Sequence, residues 1–330
     1  MKAGRDIVIN VRGLAKCFGE VQAITAVDFD VYRGELFGFL GPNGAGKTTT
    51  INMLTGLARP DAGTIHLNGI DCIKKPRAAQ PLIGVVPDEN NLYPELSGFD
   101  NLCFCAALYG MGKAGRQARA KELLDIFDLT KAAARKFGDY SKGMKRRLTI
   151  AAGIIHKPKI LFLDEPTTGI DVASARQLRQ LIGDLHANGT TVFLTTHYIE
   201  EAERLCDRIA FIMSGRIVRV DTVENLIQPI RKKQVMRISF ANGLKDFPNE
   251  IAGEFPRLSF TSPQPGLIQV EAEADQSISV GPLIRFLENH GAEVSEARKI
   301  RPSLEDIFVQ ITGIGADIMR KEKEKLRGNQ

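Results

Sequence analysis

The sequence of 330 residues has no tryptophan, only five cysteines and no apolar run long enough to cross a membrane. A membrane-spanning helix needs about 20 consecutive apolar residues, whereas the apolar stretches here, such as Cys103–Tyr109, end after a few residues. The start of the chain lacks the long apolar segment of a secretory signal. The cysteines, at positions 17, 72, 103, 105 and 206, do not have the spacing of a disulfide framework or a zinc site. These features predict a cytosolic protein with reduced thiols.

Acidic and basic residues are nearly balanced, with 44 Lys and Arg against 39 Asp and Glu, which leaves a net charge of +5. An excess this small in a chain of this length does not indicate a nucleic-acid-binding protein. The excess is concentrated in residues 131–147 and 320–327. The hydrophobic fraction, 43%, is that of a globular protein, and the length predicts about two domains.

Apolar segments predict an α/β domain in the larger, N-terminal part of the chain. The runs Leu36–Leu40, Lys159–Leu163 and Thr190–Thr196 are each followed by a helical pattern. Runs that are apolar on both faces are typical of a parallel sheet covered by helices on both sides. Shorter alternating strands predict an antiparallel β subdomain, and a helical subdomain is predicted at about 89–156, with a capping box at Ser97–Asp100.

Beyond about residue 225 the continuous apolar runs give way to a polar, basic segment and then to strands of alternating polarity. The predicted boundaries are 1–225 for the α/β domain, 226–234 for a polar linker that contains Pro229, 235–313 for a small α+β domain and 314–330 for a charged tail. In the small domain Met236, Ile238 and Phe240 alternate with polar residues, as in a half-buried strand. A helix is predicted from Val280 to His290, and a last helix begins at Ser303.

A phosphate-binding loop follows the first buried strand. The segment matches G-x-x-x-x-G-K-[ST], and its residues are Gly41, Pro42, Asn43, Gly44, Ala45, Gly46, Lys47 and Thr48. In such a loop the glycines let backbone NH groups approach a phosphate, the lysine adds positive charge, and the threonine hydroxyl can bind Mg²⁺. A dinucleotide-binding loop is excluded because the third glycine of that motif is missing. The sequence therefore predicts a nucleoside triphosphate site, which includes Thr49.

Two acidic residues follow the second buried strand, and a histidine follows the third. Asp164 and Glu165 stand at the carboxyl end of their strand, where parallel sheets bind ligands. Asp164 is the candidate Mg²⁺ ligand, and Glu165 is the candidate base that orients and deprotonates the attacking water. His197 is the candidate sensor of the terminal phosphate. The alternatives are a turn with a helix cap for the acidic pair and a packed side chain for His197.

The order of these motifs resembles that of the ATP-binding subunits of ABC transporters. The segment Asp139–Arg147 is similar to the L-S-G-G-Q signature of that family, and it lies between the phosphate loop and the Asp164 strand. Thr168–Asp171 and His197 complete the set, which covers about residues 5–222.

The resemblance implies a P-loop NTPase fold and an ATPase that uses ATP and Mg²⁺. It also implies a head-to-tail dimer, expected to be a homodimer, in which each subunit completes the ATP site of its partner. The residues that would reach the partner's nucleotide are Ser141, Gly143 and Asp171. Ser141 could cap the helix that follows it, and the positive end of that helix would face the phosphates.

Four positions depart from the pattern of the family. Lys142 replaces the first glycine of the signature and Met144 replaces its glutamine, which adds a positive charge near the phosphates. Asp88 stands where the family has a glutamine that touches Mg²⁺ and water. Its carboxylate can bind a metal but cannot donate a hydrogen bond when ionised, so its role stays open. Phe18 takes the place of the aromatic residue that stacks on adenine, and the alternative for Phe18 is a buried core position.

The end of the second domain narrows the resemblance to one branch. Pro302–Gly313 is similar to the ending of ATPases of the daunorubicin-resistance type. That resemblance implies an exporter whose partners are separate transmembrane permease subunits rather than nucleic acid. The ATPase would then be cytoplasmic and held at the inner face of the membrane through the permease. The alternatives are a soluble ABC ATPase that acts on ribosomes or DNA, and an ATPase regulated by a ligand-sensing C-terminal domain.

Overall fold

The computed structural model describes residues 6–89, 91–231, 234–241, 251–264, 266–272, 278–300 and 303–312. The chain divides into two compact units, with the residues up to Val223 in the first and Glu224–Gln310 in the second. Within the described ranges, no helix has the length and apolar character to cross a membrane. The five cysteines all lie in described ranges and are free thiols. The predicted charged tail, 314–330, lies outside the described residues.

The strands of the first unit are β1 (Ile7–Phe18), β2 (Val21–Tyr32), β3 (Leu36–Leu40), β4 (Ala62–Leu67), β5 (Ile70–Asp71), β6 (Ile83–Val86), β7 (Ile160–Asp164), β8 (Thr191–Thr196), β9 (Arg208–Met213) and β10 (Arg216–Thr222). Its helices are α1 (Lys47–Leu54), α2 (Pro76–Ala79), α3 (Gly98–Leu108), α4 (Lys113–Ile126), α5 (Lys142–Gly153), α6 (Val172–Ala187) and α7 (Ile199–Leu205), with 3₁₀ turns at Gln80–Leu82, Thr130–Ala132 and Phe137–Asp139. After α8 (Val223–Arg231) come β11 (Gln234–Phe240), α9 (Ile251–Glu254), β12 (Leu258–Gln264), β13 (Leu267–Ala272), α10 (Val280–Asn289), β14 (Val294–Ile300) and α11 (Leu304–Thr312).

A mostly parallel sheet forms the centre of the first unit. Its strand order is β10-β9-β3-β8-β7-β6, and only β10 pairs antiparallel with its neighbour. Every residue of β3, β7 and β8 is buried, as the apolar runs predict. Leu40 pairs with Thr196, and Asp164 pairs with Thr195. The carboxyl ends of these three strands therefore meet at one edge of the sheet.

A second sheet and a helical segment complete the first unit. The second sheet is antiparallel, with the order β2-β1-β4-β5. Helices α3, α4 and α5 lie between β6 and β7 along the chain. The predicted cap of α3 is present, since the hydroxyl of Ser97 accepts a hydrogen bond from the backbone NH of Asp100 at 3.0 Å. These elements confirm the predicted fold class.

Five phenylalanine rings join the two sheets of the first unit, and they are Phe29 on β2, Phe37 and Phe39 on β3, Phe162 on β7 and Phe193 on β8. Phe193 is fully buried, and its ring centroid lies 5.5–5.8 Å from those of the other four. Rings at this separation gain stabilisation beyond the burial of their area. The cluster holds the antiparallel sheet against the sheet that carries the site.

The second unit has a small α+β fold. Its antiparallel sheet has the order β12-β13-β11-β14. Met236, Ile238 and Phe240 are buried on β11 against the apolar face of α10, on which Leu283 and Leu287 are fully buried. The alternation predicted for this strand and the helix predicted from Val280 are both confirmed.

The predicted linker at 226–234 is wrong over most of its length, because residues 226–231 belong to α8. The prediction relied on the polar, basic composition of the segment and on Pro229. Leu226 and Ile227 are nevertheless 2% and 4% exposed. Burial of these two apolar side chains favours a helix despite the proline, since tertiary packing outweighs local propensity.

We expect Phe193→Ala to lower the free energy of unfolding by about 3 to 5 kcal/mol, because the substitution leaves a cavity among four other rings. Urea denaturation followed by circular dichroism measures the change. Leu57→Ala is the control, since Leu57 is 73% exposed and its truncation should change the free energy of unfolding by less than about 0.5 kcal/mol. An equal decrease in the free energy of unfolding in the two variants would show that the phenylalanine cluster does not hold the two sheets together.

Candidate functional site

The phosphate loop lies between β3 and α1, at the sheet edge where the strand ends meet. An added Cβ would lie 2.9 Å from Cγ2 of Ile212 at Gly41 and 2.8 Å from the carbonyl oxygen of Ala23 at Gly46. Both glycines are therefore required by close packing beneath the loop. Gly44 has a φ of 77°, and an added Cβ there would meet nothing within 4 Å. The loop thus packs on one side and leaves its other side open to a ligand.

Lys47 is the first residue of α1, and its side chain is only 5% exposed. Its ammonium donates to the carbonyl oxygens of Gly41 at 2.8 Å and Pro42 at 3.0 Å. The same Nζ lies 3.0 Å from Oε1 of Glu165. The predicted phosphate-binding lysine therefore contacts the predicted base directly.

Glu165 follows β7, and its carboxylate has three partners. Lys47 pairs with Oε1, Nδ1 of His197 hydrogen-bonds Oε2, and the hydroxyl of Thr168 donates to Oε2 at 2.9 Å. Burial alone would raise the pKa of Glu165, but the hydrogen bond to His197 and the charge of Lys47 outweigh burial and lower the pKa to about 2. At neutral pH the carboxylate is therefore ionised.

His197 follows β8 and is 3% exposed. Its Nδ1 contacts Glu165, whereas its buried Nε2 has no hydrogen-bond partner within the described residues. An unpartnered buried ring nitrogen costs free energy unless a ligand satisfies it. An anion such as a terminal phosphate oxygen would satisfy this nitrogen. The ring is also packed, with its centroid 3.9 Å from that of Tyr198, so the sensor role of His197 stays a prediction.

Asp164 and Asp88 add two more carboxylates beside Glu165. Asp164 is 3% exposed and accepts a hydrogen bond from the hydroxyl of Thr195. Burial raises the pKa of Asp88, the charges of Glu165 and Asp164 raise it further, and Arg146 opposes the change. Concentrated negative charge of this kind favours a cation. The described residues contain no cluster of three or more His, Cys, Asp or Glu side chains that could hold a metal ion.

The signature lies at the start of α5, where Ser141 caps the helix by accepting from the backbone NH of Met144 at 3.3 Å. Lys142 is exposed, and Gly143 is buried. A Cβ on Gly143 would lie 2.7 Å from Cβ of Ser174. Within its own chain, Gly143 therefore allows a close approach to α6, and its predicted approach to the partner's nucleotide stays a prediction.

Asp171 caps α6, since Oδ1 accepts from the backbone NH of Ser174 at 2.9 Å. The hydrogen bonds from Ser174 lower the pKa of Asp171. Two groups of candidate residues are therefore separate in the chain. One group lies where the starts of α5 and α6 meet, and it consists of Ser141, Gly143 and Asp171. The other group is the cluster of Lys47, Glu165 and His197.

The remaining candidates differ in exposure, and Ala45 is buried in the phosphate loop. Phe18 ends β1 and is 54% exposed, which excludes the buried core alternative, and Nζ of Lys16 lies 5.3 Å from its ring centroid. Asn43 and Thr48 are exposed, and Thr49 is half-buried.

Sequence reasoning missed Thr195 and Arg146. Thr195 lies on β8, two residues before His197, and its hydroxyl donates to Asp164 and accepts from the backbone NH of Glu165. In the sequence, Arg146 is one of several positive charges in the basic segment 131–147. In the structure it is buried, with 3% of its surface exposed. A signal for its burial was its position three residues after Gly143, on the same face of α5.

Sequence comparison assigns the chain to a family. The family described as ABC transporter matches residues 24–168. The chain is 35% identical over 316 residues to the daunorubicin resistance ATP-binding protein DrrA3 of Streptomyces coeruleorubidus, covering 93% of this chain and 96% of the relative. The chain belongs to the ATP-binding subunits of ABC transporters. These subunits are ATPases, so the chain is an ATP-binding protein that hydrolyses ATP.

Other relatives and solved structures support the same family assignment. The linearmycin resistance ATP-binding protein LnrL of Bacillus subtilis is 34% identical, covering 93% of this chain and 98% of the relative. The Nod factor export ATP-binding protein I of Burkholderia lata is 36% identical, covering 92% and 97%. A solved ATP-binding subunit of an ABC transporter matches with a TM-score of 0.61 and 30% identity, over 67% of this chain and 92% of that one. A bacterial ABC transporter cassette solved as a dimer matches with a TM-score of 0.61 and 27% identity, over 65% and 98%.

We expect Gly143→Ala to destabilise the protein by about 1 to 3 kcal/mol, because the new methyl group overpacks the contact with Ser174. Ser174→Gly opens space for the methyl group. The double variant should therefore be more stable than the sum of the two single changes predicts, by about 1 kcal/mol in a double-mutant cycle of urea denaturation. Strict additivity would mean that these two residues are not in contact.

Proposed function

We propose that this ATPase is the subunit of an ABC exporter that dimerises head to tail around ATP and drives separate membrane permease subunits. The observation that carries the hydrolytic part is the cluster of Lys47, Glu165 and His197, in which a buried base is paired with two groups suited to phosphate. The resistance and export names of the relatives support the exporter part.

The phosphate loop binds the β- and γ-phosphates of ATP. Residues 41–46 supply backbone NH groups, the start of α1 adds partial positive charge, and Thr49 follows on the same helix. Lys47 supplies the full charge. With Nδ1 of His197 donating to Glu165, Nε2 donates to the γ-phosphate when the ring carries both protons. Phe18 offers an exposed aromatic face on which adenine stacks.

Glu165 orients the attacking water and accepts its proton. A base with a pKa of about 2 removes a proton from water poorly. Phosphate oxygens near Lys47 compete for its charge and weaken its attraction to Glu165. The pKa of Glu165 then rises, so bound ATP itself makes the base more effective.

Mg²⁺ fits beside the phosphates. The hydroxyl of Thr48 and the carboxylates of Asp164 and Asp88 supply the oxygen ligands that Mg²⁺ prefers. When bound, the ion neutralises charge that develops on the phosphate oxygens.

The dimer places the start of α5 over the partner's ATP. Ser141, the cap of α5, is itself exposed, so the positive end of the helix dipole lies at the protein surface. Lys142 is also exposed and adds a positive charge that the usual signature lacks. Asp171 holds the adjoining start of α6. A dimeric cassette among the similar structures supports this arrangement.

The permease partners give the ATPase its place at the inner face of the cell membrane. Permeases carry the substrate path, so the exported compound contacts them rather than this chain. A soluble ABC ATPase that acts on ribosomes or DNA is the alternative.

We expect Glu165→Gln to retain ATP binding and to accumulate an ATP-bound dimer, because the amide keeps the shape of the side chain but cannot accept the proton. Size-exclusion chromatography with and without ATP measures the dimer, and phosphate release measures turnover. Lys47→Ala serves as the comparison and should lower the affinity for a fluorescent ATP analogue about 10-fold or more, since a buried charge to phosphate is lost. A monomeric Glu165→Gln variant that keeps wild-type turnover would refute Glu165 as the base.

The exporter assignment predicts co-purification with a membrane protein. We expect affinity-tagged protein, extracted in mild detergent from its own cells, to bring down a polytopic permease that mass spectrometry identifies. Recovery of ribosomes or DNA without a permease would favour the alternative.

A further inference from the structure

Arg146 lies on the buried face of α5, one helical turn after Gly143. Its side chain is nearly inaccessible, since the residue is 3% exposed. A buried guanidinium is costly unless its donors are satisfied, because water is replaced by a medium of low polarity.

Four backbone carbonyl groups satisfy this guanidinium. Nε donates to Pro166 at 2.9 Å, Nη2 donates to Asp164 at 2.6 Å, and Nη1 donates to Pro87 and, at 2.9 Å, to Asp88. A guanidinium has five N–H donors in a rigid planar fork. Arg146 therefore joins the signature helix to the chain segments that follow β6 and β7.

The acceptors at Asp164 and Pro166 flank Glu165, whose backbone is strained. Glu165 has a φ of 48°, in the left-handed region that side chains other than glycine rarely adopt. Such a conformation persists only where the surroundings hold it. On one side of the residue its NH donates to the backbone oxygen and the hydroxyl of Thr195, both at 3.1 Å. On the other side, Arg146 holds the carbonyls before and after it.

We propose that Arg146 is a positioning residue for hydrolysis, which clamps the backbone around Glu165 and so directs its carboxylate toward Lys47 and His197. The proposal rests on the proposed role of Glu165 as the base. Because Ser141 caps the helix that carries Arg146, the clamp also fixes the signature relative to the base of the same chain.

Neighbouring charges make an arginine suitable at this position. The carboxylates of Asp88, Asp164, Glu201 and Glu165 all favour its charged form, against the effect of burial, which lowers the pKa of Arg146. A lysine keeps the charge but presents three donors from one nitrogen, so it cannot span carbonyls on both sides of Glu165. The arrangement thus depends on the shape of the guanidinium as well as on its charge.

Arg146→Lys tests the clamp. We expect kcat to fall by about 10- to 100-fold, since small misplacement of a reacting group has effects of this size, while the dissociation constant for a fluorescent ATP analogue changes less than 2-fold. The control is Arg147→Lys, because Arg147 donates to the carbonyl of Phe127 and pairs with Asp128 instead. The control should keep kcat within about 3-fold of wild type.

The Glu165→Gln background separates a positioning role from general destabilisation. If Arg146 acts through Glu165, adding Arg146→Lys to Glu165→Gln should lower single-turnover hydrolysis by less than 2-fold. A further 10-fold loss in that background, or wild-type kcat in Arg146→Lys alone, would overturn the proposal. Unchanged turnover in Glu165→Gln alone would instead refute the proposed base.

Circular dichroism verifies that each variant folds. If Arg146→Lys does not fold, Arg146→Gln is measured in the same way, because its planar amide still donates hydrogen bonds. A kcat loss without loss of nucleotide affinity in that variant supports the clamp. Failure of both variants to fold, with a folded Arg147→Lys, would assign Arg146 a purely structural role and overturn the proposal.

Discussion

The buried carboxylate of Glu165 is the feature on which the rest of the site depends. An ionised carboxylate at the end of β7 is stable only because Lys47 and His197 meet it there. These partners come from segments after two other strands, so the parallel register of β3, β7 and β8 is the condition for their contact. The contacts that stabilise this ionised carboxylate also lower the pKa of Glu165, and with it the basicity of the side chain.

Helix α5 connects the proposed signature surface with the Glu165 cluster. Ser141 caps its first turn and is proposed to face a partner's nucleotide, and the next turn carries Arg146, which holds the backbone on both sides of Glu165, the proposed base. Gly143 brings the same helix against Ser174 on α6. In the proposed head-to-tail dimer, a displacement of α5 would therefore move Ser141 and Arg146 together.

Most of the fold and most of the candidate site could be predicted from local sequence. Buried strands that lead to Lys47, Asp164 and His197 indicated a common sheet edge, and the helical segment and the small α+β unit were recognisable from periodicity and capping. The helix around Pro229 had a sequence signal that its polar, basic composition outweighed in the prediction: Val223, Leu226, Ile227 and Ile230 recur at the i, i+3, i+4 and i+7 spacing of an amphipathic helix.

The sequence by itself determined which side chains reach the sheet edge, because each follows a continuous apolar run, and such runs are typical of buried parallel strands. Only the tertiary structure decided how those side chains are paired, and which basic residue of 131–147 is buried. The carbonyl acceptors of Arg146 lie 18 to 59 residues away along the chain. Contacts over such separations depend on the packing of whole elements, and no local pattern encodes them.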